Sequence, residues 1–235
     1  METSKITIAV DGFAACGKST LAKALAKELG YVYVDSGAMY RAVTLYFLDH
    51  QIDIQDAMAV DAALDQITIH FENVNGQNQT FLNHVNVEDA IRSMRVSSYV
   101  SPVATISAVR KAMVKLQQTM GAKGGIAMDG RDIGTVVFKN AELKLFLTAS
   151  IEERTRRRLA EWSSKGVLDI TKEEVEKNLR TRDHIDSTRA DSPLCQADDA
   201  IEIDNSLLTP EEQLQFALSL SKEAIEKKSM GLVAS

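Results

Sequence analysis

Proline, cysteine and tryptophan are scarce in this 235-residue sequence, which holds three, two and one of them. Because the two cysteines, Cys16 and Cys195, stand far apart in the chain, we expect no disulfide framework and a reducing, cytoplasmic setting. The N-terminal stretch lacks the long apolar segment of a signal peptide. No window approaches about 18 uninterrupted apolar residues, so the sequence predicts no transmembrane helix.

Positive charge is also in deficit. The 27 Lys and Arg residues are outnumbered by 33 Asp and Glu residues, which gives a formal net charge of -6. A general binder of nucleic acids or anionic membranes needs a basic surface. We therefore expect no nucleic-acid or membrane partner, and any phosphate site must be local. The hydrophobic fraction of 45% is typical of a folded globular protein rather than a disordered chain.

Short apolar runs alternate with helix-compatible stretches, which is the pattern of an α/β fold with a parallel sheet. Ile6, Ile8 and Val10 predict a first strand, and a helix is predicted over Lys18–Leu29 with a stop at Gly30. Further strands are predicted at 32–34, 125–128, 143–147 and 200–203, and a second helix at 38–50. The sequence therefore predicts one domain, residues 1–235, with a five-stranded parallel sheet flanked by helices.

Three later helices carry recognisable starts. In a capping box, a Ser or Thr side chain and a Glu three residues later satisfy each other's backbone N–H groups. The last of the three also has proline at its first helical position, Pro210. The predicted boxes are Ser150 with Glu153, Thr171 with Glu174, and Thr209 with Glu212.

Residues 57–101 interrupt this alternation. Ile67, Ile69 and Phe71 alternate with polar residues, a turn is predicted at 73–78, and 80–87 looks extended again. This texture favours a small antiparallel hairpin over a helix. We interpret the segment as a subdomain inserted into the main domain.

The stretch GFAACGKST lies between the first predicted strand and the first predicted helix. It matches G-x-x-x-x-G-K-[ST], in which backbone N–H groups and a helix N-terminus bind nucleotide phosphates. Lys18 would neutralise phosphate charge and the Ser19 hydroxyl would bind Mg²⁺. The alternative is a glycine turn with an incidental Lys-Ser pair. We assign all nine residues to the phosphate site: Gly12, Phe13, Ala14, Ala15, Cys16, Gly17, Lys18, Ser19 and Thr20.

Two features of this loop leave alternatives open. Cys16 could be a reactive thiol at a helix N-terminus or a small residue that fills a tight turn, and we favour the second. A P-loop also occurs in GTPases, motor ATPases and kinases, although the chain has no N-K-x-D guanine motif. The acceptor residues must therefore distinguish these classes.

Polar and charged residues follow the second and third predicted strands. DSGAMYR begins at Asp35, and DGRDIGTVVF begins at Asp129. In parallel sheets, ligands bind beyond the carboxyl ends of the strands. We therefore expect these side chains near the P-loop, with Asp129 rather than Asp11 holding Mg²⁺ through water.

These two segments, the inserted hairpin and the R-D-x-x-D-x-x-R pattern of residues 182–189 together resemble the bacterial cytidylate kinase family of nucleoside monophosphate kinases. The resemblance covers about residues 6–224. It implies a P-loop kinase core, an insertion at about 57–101 that helps to bind the nucleoside monophosphate, and a helical lid at about 154–170. It also implies transfer of the γ-phosphoryl group of ATP to CMP or dCMP with Mg²⁺.

The resemblance carries residue roles over by position. Arg41 and Arg131 would hold the acceptor phosphate. The cytosine would be surrounded by Ser36, Ser101, Arg110 and Asp132, and the sugar and phosphate would be approached by Tyr40, Arg182, Asp186 and Arg189. The catalytic set would be Lys18, Asp129, Arg131, Arg182 and Arg189.

Cytosine chemistry agrees with its assigned partners. Its exocyclic amine is a donor that a carboxylate such as Asp132 can accept, while its ring N3 and O2 need donors such as Arg110 and Ser101. The alternative for Arg110 and Asp132 is that each belongs to an exposed surface ion pair.

The charged run EERTRRR at 152–158 has two interpretations. Such runs are usually the solvated face of a helix. In a kinase of this family the run would instead begin the lid, with Arg154 and Arg158 contacting ATP when the site closes. Gly166 could mark the turn of the lid.

Two rival functions remain open at this stage. A kinase for another small acceptor, such as UMP or shikimate, would share the P-loop and the lid arginines. A nucleotide-switched binding module would bind ATP without acceptor-dependent release of ADP. A single lidded domain can work as a monomer, which we expect here.

Some positions depart from the family's pattern. Phe13 and Ala14 stand where a proline and a small residue are common, and Cys16 where Ala or Ser is usual. Because the loop binds phosphate through its backbone, we expect activity to survive these changes. Residues 82–87 replace a more usual glycine-containing turn, which leaves the register of the hairpin open.

Overall fold

The computed structural model describes residues 4–74, 77–164, 166 and 169–232. The chain divides into two compact units. The first unit comprises residues 1–34, 121–188 and 192–235, and the second comprises 35–120 and 189–191. Among the described residues, no helix combines the length and apolar character that a membrane span requires.

The described elements follow one another as strands and helices of ordinary length. The strands are β1 Thr7–Gly12, β2 Val32–Asp35, β3 Ile69–Val74, β4 Gln77–Leu82, β5 Val85–Asn86, β6 Ile126–Asp129, β7 Leu143–Thr148 and β8 Ile201–Asp204. The α-helices are α1 Lys18–Leu29, α2 Ser36–Asp49, α3 Ala57–Leu64, α4 Met94–Ala104, α5 Ser107–Gly121, α6 Ile151–Ser164, α7 Lys172–Thr188 and α8 Pro210–Ser229. A 3₁₀ turn covers Ala90–Arg92 and a π-helical turn covers Ile133–Val137.

The larger sheet has the strand order β2-β6-β1-β7-β8. β1 pairs in parallel with β6 on one side and with β7 on the other, and β7 pairs in parallel with β8. Val10 lies opposite both Asp129 and Leu145 in this register. The predicted five-stranded parallel sheet is confirmed. Because β1 and β6 are neighbours, the P-loop and the DGRD segment begin at the same edge.

A core cluster of the first unit includes residues from β1, α1 and α8. Ile8 and Val10 of β1 are fully buried, as is Leu25 of α1, and they belong to one cluster with Ala217 of α8. Each fully buried aliphatic side chain of this size stabilises the fold by about 1.5–3 kcal/mol. This packing fixes α1, and therefore the loop before it, against the central strand.

The first two helices agree with the sequence with one correction. α1 spans the predicted Lys18–Leu29 and ends at Gly30, whose φ is 66°. α2 begins at Ser36 instead of residue 38, because Oδ1 of Asp35 accepts a hydrogen bond from the backbone N–H of Ala38 at 2.8 Å. An acceptor at this position satisfies an N–H group that the helix leaves open. Most of the DSGAMYR segment is therefore helical.

Two of the three predicted capping boxes are confirmed, at Thr171 and at Thr209. The third is half formed. Ser150 Oγ accepts from the N–H of Glu153 at 3.2 Å, but the N–H of Ser150 donates to Ser206 Oγ at 2.9 Å. The carboxylate of Glu153 instead accepts from Arg156 and Arg157, which lower its pKa to about 2. Because these arginines bind the Glu153 carboxylate, the second hydrogen bond of the capping box, from the N–H of Ser150 to Glu153, is missing.

The second unit contains the predicted antiparallel structure, as a three-stranded sheet β3-β4-β5. Asn83 and His84 join β4 to β5 with φ values of 48° and 67°, and Leu82 pairs with Val85. Positive φ at both turn residues is typical of a type I′ hairpin. This turn settles the register that the sequence left open. The turn predicted at 73–78 is too long, because residues 73, 74, 77 and 78 are paired strand residues of β3 and β4; residues 75 and 76 lie outside the described residues.

Two helices of the second unit go beyond the hairpin predicted for residues 57–101. α3 is capped by Asp56, whose carboxylate accepts from the N–H groups of Met58 and Ala59 at 3.0 and 3.2 Å. α4 is capped by Ser93. Both starts carry ordinary N-cap residues. The segment is therefore a mixed helical and strand region.

Candidate active site

The loop between β1 and α1 adopts backbone conformations that side chains disfavour. Gly17, at the N-cap of α1, has φ 99°, and Ala15 has φ 59°. A Cβ atom at Gly17 would lie 2.5 Å from the side-chain nitrogen of Asn205, so glycine is required there. The loop leads into the N-terminus of α1, where backbone N–H groups favour an anion. This is the strand, loop and helix arrangement that the motif predicts.

Two side chains hold this loop through the carbonyl oxygen of Cys16. Asn205 Nδ2 donates to it at 2.8 Å and Arg157 Nη1 at 3.2 Å. Arg157 Nη2 also donates to the carbonyl oxygen of Asn205 at 2.7 Å. Neither residue is among those predicted from the sequence. Asn205 directly follows β8, so the rule that ligand sites lie beyond strand carboxyl ends could have pointed to it.

Cys16 and Lys18 are both buried beneath the loop. The Cys16 side chain belongs to the apolar core cluster, which fits a small residue that fills a tight turn. Lys18 Nζ donates to the carbonyl oxygen of Phe13 at 2.5 Å. Burial, and then the charge of Arg131, lower the pKa of Lys18 below its usual value. A bound phosphate would oppose both effects, because its negative charge favours the ammonium form.

Ser19 and Asp129 bring the P-loop and the DGRD segment together. Ser19 Oγ donates to Oδ2 of Asp129 at 2.9 Å, and the hydroxyl of Tyr33 donates to Oδ1 at 2.9 Å. A hydroxyl beside a carboxylate is an oxygen donor set of the kind that Mg²⁺ binds alongside phosphate and water. The predicted pair of metal-binding residues is therefore adjacent. Tyr33, which the sequence did not indicate, orients the carboxylate.

Asp11 has a different role from Asp129. Its two carboxylate oxygens accept the N–H groups of Ile133 and Gly134 at 2.8 and 2.7 Å. Burial raises the pKa of Asp11 to about 6, against the lowering effect of these two hydrogen bonds. Asp11 thereby anchors the π-helical turn that follows Asp132. It positions the DGRD segment from within the fold.

Arg131 is held by a carboxylate of α7. Its Nε donates to Oδ2 of Asp186 at 2.8 Å, and the charge of Asp186 raises the pKa of Arg131 against the effect of burial. Asp132 is also buried, with 4% of its surface exposed. This burial excludes an exposed surface ion pair for Asp132. Arg182 lies one turn before Asp186 on the same helix.

The arginines of α6 divide between buried and exposed positions. Arg154 is buried, and its Nη1 donates to Asp183 Oδ2 at 2.6 Å and to the carbonyl oxygen of Ala14 at 3.4 Å. Arg158 lies over the ring of Trp162, 5.7 Å from its centroid. Only part of the run is thus a solvated helix face. Of the predicted lid, residues 165, 167 and 168 lie outside the described residues.

A cavity of about 550 Å³ opens beside the P-loop on the first unit. Gly17 and Thr20 of the loop are among its lining residues. Its wall also includes Arg157, Asn205 and Gln213. Small-molecule sites usually measure about 300–1,000 Å³. The cavity therefore has the size of a ligand site and adjoins the predicted phosphate cradle.

The second unit contains a cluster of charges around Asp35. Arg41 Nη2 donates to Oδ2 of Asp35 at 2.8 Å, and Arg92 Nη2 approaches the same oxygen at 3.4 Å. Burial alone would raise the pKa of Asp35, but the charges of Arg41 and Arg92 and the N–H of Ala38 lower it. Asp35 therefore stays ionised and fixes Arg41. Arg92 is a further cation that the sequence did not indicate.

Arg110 belongs to a second cluster of charged residues in this unit. It is 1% exposed, its Nε lies 3.6 Å from Oδ1 of Asp191, and its guanidinium lies 5.6 Å from the centroid of the Tyr40 ring. Asp191 also accepts from Ser107 Oγ at 2.5 Å. Burial excludes an exposed surface ion pair for Arg110. The other predicted acceptor residues of this unit are buried too: Ser36, Ser101 and Arg189.

Comparisons with known proteins identify the family to which this chain is similar. A sequence model of the family described as cytidylate kinase matches residues 8–223. A cytidylate kinase of Phocaeicola vulgatus is 54% identical over 227 residues, which cover 94% of this chain and 98% of that protein. A cytidylate kinase of Bacteroides fragilis is 52% identical over 227 residues, which cover 94% and 99%.

A solved structure gives independent support for the fold. The crystal structure of shikimate kinase from Bacteroides thetaiotaomicron matches with a TM-score of 0.50 at 11% identity, covering 93% of this chain and 99% of that one. At this identity the likeness concerns the fold alone, and it confirms the predicted P-loop kinase core. The family match and the identities above 50% over nearly the whole length place the chain in the cytidylate kinase family.

Proposed function

We propose that this family member binds ATP at the P-loop of the first unit and uses CMP or dCMP as the phosphoryl acceptor. The chain is an ATP-dependent (d)CMP kinase. The observation that carries the proposed donor site is the 2.9 Å hydrogen bond between Ser19 and Asp129, because it joins two separate motifs. Lys18 and the backbone of residues 12–20 would hold the β- and γ-phosphates.

Mg²⁺ is proposed to be held by Ser19 directly and by Asp129 through water. When bound, the ion would supply positive charge to the donor phosphates. Tyr33 keeps the Asp129 carboxylate in place through its hydroxyl. Lys18 adds a second positive charge from beneath the loop. Together with the bound ion, Lys18 would make the donor site locally electropositive in a protein of net negative charge.

The acceptor needs little chemical activation. The second pKa of a phosphate monoester is near ~6, so the attacking oxygen of CMP is mostly ionised at neutral pH. No general base is required, and catalysis consists of positioning and charge neutralisation. Arg41 and Arg131 are proposed to hold the acceptor phosphate. Their carboxylate partners, Asp35 and Asp186, already fix the two guanidinium groups.

Cytosine is proposed to be recognised by buried polar side chains. Arg110 and Ser101 would donate to its ring N3 and O2, and Asp132 would accept from its exocyclic amine. Ser36 would lie nearby. Burial makes such hydrogen bonds more selective, because a mismatched base would leave buried groups without partners. The residues proposed near the sugar and phosphate are Tyr40, Arg182, Asp186 and Arg189.

The segment at about 154–170 is proposed as the lid. Arg154 and Arg158 lie one helical turn apart and could contact the same ligand. In this structure Arg154 binds Asp183 and the carbonyl oxygen of Ala14. We also propose that the adenine base of ATP occupies the 550 Å³ cavity beside Gly17 and Thr20. Arg157 offers a planar cation to stack on the base.

An acceptor panel tests this function. ADP release is measured with CMP, dCMP, UMP, AMP and shikimate at equal concentrations. We expect CMP and dCMP to be used far better than the others. Turnover of UMP or shikimate well above CMP would contradict the assignment, and ATP binding without acceptor-dependent ADP release would favour a binding module.

Assembly and location are proposed separately. We propose a cytoplasmic monomer without nucleic-acid or membrane partners, supported by the net charge of -6 and two free cysteines. Light scattering at the concentration of the assay measures the mass directly. A mass of twice the 25.8 kDa chain would contradict the monomer.

A further inference from the structure

Gln213 is a buried amide on the wall of the cavity beside the P-loop. It lies in the first turns of α8, just after the capping box of Thr209 and Glu212. Only 3% of its surface is exposed. Within the described part of the chain, its Nε2 group has no hydrogen-bond partner. The same residue lines the cavity together with Gly17 and Thr20.

A buried donor without a partner is costly. Leaving such a group unsatisfied costs about 1–3 kcal/mol, and most buried polar groups in proteins are satisfied. A hydrophobic residue of similar shape, such as methionine, would avoid this cost. The amide of Gln213 is therefore better explained by a ligand that accepts its hydrogen than by the packing of α8.

The position of Gln213 indicates which part of a ligand it meets. Gly17 and Thr20, which belong to the proposed phosphate loop, are among the residues that line the cavity. Arg157 and Asn205, whose side chains hold the loop, form another part of the wall. A nucleotide with its phosphates at the loop would extend its base along this wall. Purine bases present ring nitrogens as acceptors along their edges.

We propose that Gln213 recognises the purine base of the phosphoryl donor, and that its Nε2 donates a hydrogen bond to a ring nitrogen of adenine. This inference rests on the proposed placement of ATP in the cavity. Recognition of the donor base is thereby assigned to a residue that lies outside every sequence motif.

The first experiment compares Gln213→Met with Gln215→Met. Gln215 lies on the same helix, is exposed and bonds to Glu211 at 2.8 Å, so it is a matched control. We expect Gln213→Met to bind ATP about five- to tenfold more weakly, as loss of one hydrogen bond implies. Its Tm without nucleotide should be equal to or above that of the wild type. KM for CMP at saturating ATP should not change.

A structural role for Gln213 predicts the opposite pattern. In that case Gln213→Met would lower the Tm and leave the Kd of ATP unchanged, and the proposal would be overturned. Wild type and Gln215→Met report on the proposed function separately. If those two proteins do not bind ATP or show no CMP-dependent ADP release, the proposed function itself has failed.

The second experiment identifies the acceptor atom. Affinities of 1-deaza-, 3-deaza- and 7-deaza-ATP are measured for wild type and Gln213→Met. The analogue that lacks the contacted nitrogen should bind the wild type more weakly than ATP does, and this difference should disappear in the variant. If the differences are the same in both proteins for all three analogues, Gln213 does not contact a ring nitrogen and the proposal is wrong.

Discussion

Two buried aspartates show that two regions of the molecule hold their functional groups in opposite ways. Asp11 near the end of β1 is surrounded by backbone N–H groups, and burial raises its pKa to about 6. Asp35 at the end of β2 faces Arg41 and Arg92, and despite burial its pKa is lowered. The hydrogen-bond partners of Asp11 are main-chain N–H groups, whereas Asp35 is held mainly by the charged side chains of Arg41 and Arg92.

This difference extends to the surroundings of each aspartate. Around the P-loop, the main contacts involve backbone groups, such as the carbonyl oxygen of Cys16 that accepts from Asn205 and Arg157. In the second unit, the contacts are ion pairs such as Arg110 with Asp191. Backbone groups are supplied by any residue that permits the loop conformation. Ion pairs depend on the particular side chains. Substitutions at the P-loop glycines and their partners should therefore act through loop shape, whereas substitutions at ion pairs should act through lost charge.

The largest effect is expected for Arg131→Ala, which breaks the ion pair with Asp186 in the first unit. Charge-assisted contacts to a phosphate are strong, so kcat/KM for CMP should fall on the order of 10³-fold or more. ATP affinity should be nearly unchanged. Steady-state kinetics and ATP titration measure both quantities, with Arg131→Lys as a control that keeps the charge. A value within tenfold of wild type would exclude this role.

Asp11→Asn tests the region in which backbone N–H groups hold the aspartate. An amide can accept only one of the two N–H groups from Ile133 and Gly134 and places its NH₂ against the other. We expect the free energy of unfolding to fall by about 1–3 kcal/mol at pH 7. Urea unfolding measures it. An unchanged value would mean that Asp11 does not anchor the turn.

The pH dependence of this variant has a defined sign. Because the pKa of Asp11 is raised from 3.8 to about 6, the folded state binds more protons than the unfolded state between these values. The contribution of Asp11 to the free energy of unfolding is thus complete below about pH 4 and declines as pH rises through about 6. The stability gap between wild type and variant should narrow by about 2–3 kcal/mol over this interval. If the difference in the free energy of unfolding between wild type and variant widens as pH rises, the inferred rise in the pKa of Asp11 is wrong.

Gly17→Ala tests the shape of the P-loop. The positive φ of 99° and the 2.5 Å approach to Asn205 Nδ2 both oppose a Cβ atom. ATP affinity should fall on the order of 100-fold, about 2–3 kcal/mol, since the backbone N–H groups must move. Gly30→Ala is the control, because Gly30 has φ 66° but no atom within 4 Å of its added Cβ. This control should lose stability and keep its affinity for ATP.

The smallest effect is expected for Asn205→Ala, which removes one of the two side chains that hold the Cys16 carbonyl. Loss of one hydrogen bond corresponds to about a fivefold weaker affinity for ATP. KM for CMP should not change. Isothermal titration with ATP measures the first quantity. If CMP binding weakens instead, the backbone contact is not specific to the donor side.

The strands, α1 and the P-loop could be predicted because each depends on a short local pattern. The alternation in β1, the stop at Gly30 and the G-x-x-x-x-G-K-[ST] spacing all lie within a few residues. The helices α3 and α4 were less visible, since the alternation at Ile67 and Phe71 drew the whole segment toward a hairpin. The capping box predicted at Ser150 is only half formed, because Arg156 and Arg157 bind the carboxylate of Glu153.

The local patterns of the chain were sufficient for the α/β fold, the nucleotide-phosphate loop and a resemblance to one kinase family. They were not sufficient for the partners of the buried charges. Asp11 meets Ile133 and Asp129 meets Ser19 across more than a hundred residues. The pKa and the position of a buried charged side chain depend on its burial and on neighbouring charges. Burial and neighbouring charges are supplied here by segments that are distant in sequence. The sequence favours Asp129 over Asp11 as the metal ligand, but only the tertiary structure gives Asp11 its role as the anchor of the π-helical turn.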